Sequence, residues 1–204
     1  MFRGAYQKIE AKEAGHLITA VNSVLHTAPF DPATATVLTH PVSFYPGYTY
    51  ADITHHGTMP PLNTRVIFKG NDITLLNTTN APIFGLNKKA PIQLNDQNVT
   101  DYVRFFFSHV RGEHGRFLMI DTVDDIDWKE EPPPSARKAI GKMLTGLQVT
   151  GRSPEGDFIL SANMIFKNTL FGARIHVRPD GDVTMSDEEL LVEDMPVLED
   201  TIGQ

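Results

Sequence analysis

The chain has 204 residues, 41% of them apolar and 21% charged, with a net charge of −7 and no cysteine. That length and composition fit one globular domain with a core large enough to need no staples. The missing thiols exclude a disulfide framework, thiolate metal sites and a cysteine nucleophile, and the acidic balance argues against sequence-independent binding to nucleic acid.

Charges at Lys8, Glu10, Lys12 and Glu13 interrupt any apolar leader, and no apolar run approaches the roughly 20 residues of a membrane span. The sequence therefore reads as soluble and cytoplasmic. Residues 6–25 predict a helix, with Ala14, Leu17, Ile18, Val21, Val24 and Leu25 on one side and Pro29 and Pro32 beyond its end. Residues 36–50 read as one or two edge strands around a Tyr45-Pro46-Gly47 turn. Residues 65–76 form a hairpin about Gly70-Asn71, with Lys69 facing Asp72.

Residues 77–94, broken by Pro82, Gly85 and Pro91, read as irregular. The strongest element is a second helix over 95–111. Val99, Tyr102, Val103, Phe106 and Val110 make its apolar stripe, Phe105 and Phe107 widen it, and Asp101, Arg104, Ser108 and Arg111 oppose it. A strand follows at 116–120, then an acidic, Pro-rich loop at 123–134 and a short helix at 135–144. The last third is a β-meander: 146–152, 157–167, 170–178 and 183–186, with alternating apolar positions and tight turns between them. Residues 187–204 carry seven acids interleaved with apolar residues and read as an acidic tail, surface-docked or mobile.

Residues that look chemically active are few. Arg104, His109, Arg111, Glu113, His114 and Arg116 cluster around the end of the second helix and could line a pocket for an anion or place a general base. Against this, His109 falls beside Phe105 at the edge of the apolar face, and its five-residue spacing from His114 does not suit a shared metal. His40, His55 and His56, with Asp52, would hold a metal only if the fold gathered them, and adjacent strand histidines point to opposite faces. Arg174, His176 and Arg178 share one face of a strand by period two, a solvated face or an anion-binding ladder. Phe44, Tyr45, Tyr48 and Tyr50 read as loop aromatics packed on the core. No serine lies in a G-x-S-x-G elbow, no nucleotide-binding glycine loop is present, and the aspartates at 121–127 lack the spacing of a calcium loop.

The expected fold is α+β: an antiparallel meander packed against the amphipathic second helix, with the N-terminal helix alongside and the 65–76 hairpin extending the same sheet. Residues 1–186 are expected to form a single domain and 187–204 its tail. The expected role is a non-catalytic accessory or protein-binding module acting through that tail. The alternative is a small enzyme or anionic-ligand-binding domain using the six residues at the end of the second helix. No cofactor, metal, membrane or nucleic acid is called for, and neither catalytic residues nor oligomeric state can be read.

Overall fold

Alternating side chains give a strand two chemically distinct faces, and short turns between such strands force antiparallel pairing. The computed structural model, which describes residues 2, 4–26 and 29–198, shows this twice. The chain divides into two compact units, Phe2–Gln93 and Leu94–Gln204. Each combines helices with its own antiparallel five-stranded sheet, so the α+β class holds. Among the described residues no helix is long and apolar enough to cross a membrane.

In the first unit, β1 (Gln7–Lys8) and α1 (Ala11–Asn22) precede β2 (Ala35–Pro41), β3 (Thr49–His55), β4 (Leu62–Lys69) and β5 (Asp72–Leu76). The strands lie in chain order, β1-β2-β3-β4-β5. The helix starts later than its periodicity suggests because Gln7 and Lys8 pair with Thr39 and Leu38. Its stripe of Ala14, Leu17, Ile18 and Val21 buries against Val37, Ala51, Ile53 and Val66. Asn22 then fixes the returning chain, since its amide both donates to and accepts from the backbone of Phe30 at 2.9 Å. Far from being an edge strand, β3 is central. The 65–76 hairpin forms as expected, with Gly70 at φ +59°, but it extends this sheet and not the C-terminal one. Its register sets Lys69 opposite Asp72, yet Asp72 bonds Lys89 and Tyr48 instead. The Lys89 ammonium, with help from the Tyr48 hydroxyl, holds the Asp72 carboxyl below its usual range.

Lys89 belongs to α2 (Ala81–Lys89), in a stretch the sequence marks as irregular. Pro82 occupies the first turn, where its missing N–H costs nothing, so the residue read as a breaker is a helix start. Three of the four turn aromatics pack inward as expected, Phe44, Tyr45 and Tyr50 being fully buried, with the Tyr45 hydroxyl donating to Asn87, while Tyr48 is half-buried.

Burial also sets a pH limit on this unit. Desolvation, reinforced by the Asp52 charge, pushes the Tyr6 phenol up to about 12 and that of Tyr50 further still. Both groups are neutral when folded and ionise more readily when unfolded. Their contribution is therefore complete below pH ~10 and is lost as pH rises beyond it, at about 1.4 kcal/mol per pH unit for Tyr50. A phenolate absorbance titration is expected to show Tyr50 ionising only together with unfolding, and Tyr50→Phe should flatten the alkaline loss. Reversible ionisation of all five tyrosines near pH 10 with native circular dichroism would contradict this.

The second unit contains α3 (Val99–His109), β6 (Phe117–Ile120), α4 (Pro134–Met143), β7 (Gln148–Arg152), β8 (Phe158–Phe166), β9 (Thr169–Val177) and β10 (Val183–Val192). The meander β8-β9-β10 is as read, while β6 and β7 share the free side of β8, one pairing with Asn163–Phe166 and the other with Phe158–Ser161. The third helix is buried almost all round: Val99, Tyr102, Val103, Phe105, Phe106 and Phe107 are all inside. The Tyr102 hydroxyl donates to the Gly181 carbonyl at 2.6 Å, and Phe107 meets Phe117 edge-on.

The fourth strand of the meander does not stop at Ser186. With two register shifts it continues to Val192 along β9. Beyond it the Met195 N–H bonds Asn168, the Leu198 N–H bonds Asp127, and Val197 bridges Trp128. Met195 and Val197 are buried with Ile120, Ile126, Ile165 and Leu170. Residues 187–198, read as a tail, are thus built into the unit, because Leu191, Val192, Met195 and Val197 supply the apolar surface that their acidic neighbours mask in composition. The rest of that segment, 199–204, lies outside the described residues.

Candidate functional site

The six residues expected to line a pocket at the end of α3 have separate surroundings. Arg104, placed on the exposed face by its periodicity, is 8% exposed and clasps Asp121 with both terminal nitrogens. The same carboxylate accepts the Leu147 N–H at 2.9 Å. His109 is buried against Phe105, its Nδ1 donating to the Phe105 carbonyl oxygen at 2.8 Å. Glu113 and His114 stand exposed on a tight turn closed by Gly112 and Gly115, and Arg111 and Arg116 are half-buried on either side of it. None of the six lines any of the three clefts described below.

The histidines of the first unit are held apart. His40 stacks on Phe2 at 4.5 Å, while His55 tilts against Phe30 and His56 lies within 3.3 Å of the Thr36 hydroxyl. In the ladder His40 faces Tyr50 and His55 faces Ala35, five positions away, which is about 17 Å along a strand. Among the described residues no three histidine, aspartate or glutamate side chains gather as metal ligands would. Of the expected ladder Arg174 and His176 lie two apart in β9, facing Ser186 and Thr184 of β10, while Arg178 falls just beyond the strand and pairs with Asp182 at 3.2 Å.

Clefts among the described residues include the following three. The first, about 600 Å³, lies where α1 leaves part of its sheet uncovered; Glu13, His16 and Leu17 form one wall and Thr39, Thr49 and Phe68 the floor. The second, about 260 Å³, lies by the end of α4 and includes Ser161, Asn163, Arg174 and Glu189. The third, about 430 Å³, opens between the β8–β9 turn and β10. Phe117, Phe166 and Phe171 line it, with Lys167, Glu188 and Leu190 among its borders.

This third cleft adjoins an open sheet edge. Among the described residues β10 has β9 as its one strand partner. By the period of two, Glu188 and Leu190 turn toward the phenylalanines, while Glu189 and Leu191 line the cleft on the opposite face. Leu190 is 55% exposed, high for a leucine inside a strand. Glu188, Glu189, Glu193 and Asp194 are exposed too, so the end of this strand and the residues just after it are acidic, with Glu188 at the border of the aromatic cleft. Sequence reasoning missed it because Phe117, Phe166 and Phe171 occupy positions whose alternation signals core. The one visible signal was the mixture of acids and leucines after Ser186. Comparison of the chain with family models, with curated proteins and with solved structures found no match in any of the three.

Proposed function

We propose that the protein is a non-catalytic, cytoplasmic protein-binding module, and that its partner contributes an extended basic segment that lies along the outer edge of β10. One observation carries this reading: a ten-residue edge strand that exposes Glu188, Glu189 and Leu190 in its second half, set beside a cleft of phenylalanines. An open edge offers unpaired N–H and C=O groups to any strand, and natural proteins guard such edges with charge. A guard of one sign is also a filter. It repels acidic strands, would leave its own carboxylates desolvated and unpaired under an uncharged one, and admits one whose lysines or arginines neutralise them, while main-chain hydrogen bonds supply affinity. Residues from the sequence-defined tail thus keep the role expected for them, but as part of a sheet and not as a free segment.

Truncation after Ser186 is a poor test, since it would remove the buried Met195 and Val197. Substitutions at exposed positions are cleaner. A photo-crosslinking residue at Leu190 in the full chain, activated in cells, is expected to capture peptides rich in lysine and arginine. The double variant Glu188→Lys, Glu189→Lys should lose that capture with an unchanged melting temperature. Crosslinked peptides without net positive charge, or capture indifferent to the charge reversal, would overturn the proposal.

A further inference from the structure

Resting on that reading, we infer that the cleft of Phe117, Phe166 and Phe171 is an anchor site for a neutral aromatic side chain, tryptophan or tyrosine, carried by the same basic segment. The ring geometry is the first reason. Phe117 and Phe166 stack at 4.7 Å and 24°, and Phe171 meets Phe117 edge-on at 6.0 Å and 82°. Three rings thus pack together beside a single opening, an apolar wall of the kind on which a further ring settles, since aromatic pairs favour offset-stacked and edge-to-face contacts.

The rim is the second reason. Asn168, Thr169 and Glu188 border the opening, so an indole N–H or a phenol O–H entering ring-first finds an acceptor at the mouth. Charge narrows the choice further. Lys167 already places its ammonium 5.5 Å from the Phe166 ring centre. A second cation over that ring would be repelled, which leaves the basic residues of the partner to the glutamates and the cleft to an uncharged ring.

The backbone also approaches these rings closely. Gly115, at φ +140°, passes so near Phe166 that a Cβ there would stand 3.2 Å from the ring, so a side chain at that position would disturb it. The arrangement of one buried anchor beside a charged rim is how interfaces concentrate affinity in a few residues.

The test uses the full chain and two labelled peptides, Lys-Val-Lys-Trp-Lys-Val-Arg and its alanine-for-tryptophan counterpart, read by fluorescence anisotropy. The tryptophan peptide is expected to bind about ten-fold more tightly, the gain of one well-buried aromatic anchor. Leu190→Asp should bring the two peptides to equal affinity, and Glu188→Lys with Glu189→Lys should weaken both. Equal binding of the two peptides that is still lost on charge reversal overturns the anchor site and leaves the edge-strand reading standing. A tryptophan preference that survives Leu190→Asp also overturns the anchor site, because the ring then sits elsewhere. Binding of neither peptide, or binding indifferent to the charge reversal, overturns both.

Discussion

Replacing Arg104 by alanine is expected to cost about 3–5 kcal/mol, the usual consequence of removing one partner from a buried ion pair. Arg104 is 8% exposed and the Asp121 side chain 11%, so the carboxylate left behind would have little water to turn to. The Leu147 N–H, which the carboxylate also accepts at 2.9 Å, does not neutralise a charge. The site is also fitted to the acid. Gly146, at φ +69°, runs close enough that a Cβ there would lie 3.2 Å from Asp121 Oδ1. For the same reason the pair cannot simply be exchanged for two apolar residues, since Leu147 would lose its acceptor. Arg104→Met with Asp121→Asn, which keeps an acceptor and removes both charges, should recover a good part of the loss. Denaturant titration of the three chains gives the ordering. A single-variant loss below about 1 kcal/mol would mean that the pair behaves as an exposed one.

The second large effect is at Phe105, 1% exposed at the centre of α3. Phe105→Ala should destabilise by about 3–5 kcal/mol, combining lost transfer energy with the cavity left behind. Phe105→Leu should cost clearly less, because most of the volume stays filled. His109 rests on that ring at 4.8 Å, so the alanine variant should also expose the imidazole. Its signature is faster amide exchange across 99–109. A Phe105→Ala chain as stable as the parent would mean that the helix does not bury this face.

Both effects concern the element most legible in the sequence. Five apolar residues in Val99–Val110 recur at helical spacing, and burial at Val99, Tyr102, Val103 and Phe106 follows their period. The hairpin about Gly70-Asn71 and the alternation in β8 and β9 were equally plain, because turn chemistry and period two act over a few residues. What stayed hidden depends on distant partners. Nothing near Arg104 announces Asp121, seventeen positions on, so a charge at a helix position reads as solvated. Which sheet receives the 65–76 hairpin depends on β3, a strand cut off from its neighbours by Pro46 and Pro60 and therefore underrated. The helix Ala81–Lys89 buries only Ile83 and Leu86, too little for a stripe to stand out against Pro82 and Gly85. The aromatic cleft was hidden for the reverse reason. Its phenylalanines obey the core pattern, and only three dimensions show where cover ends.

The strand order of the first sheet bears on how the chain is made. Each ladder there joins neighbours in sequence, the widest span running from Gln7 to Thr39, and the last pairing closes at Leu76. A sheet that needs nothing downstream can assemble while the ribosome is still synthesising the remainder, and short-range pairing of this kind is fast. The later sheet waits longer, since Phe117 must hold until Phe166 has emerged. During that interval Phe117 lacks the ring it stacks on, leaving an apolar surface of the kind that makes unfinished chains prone to aggregate.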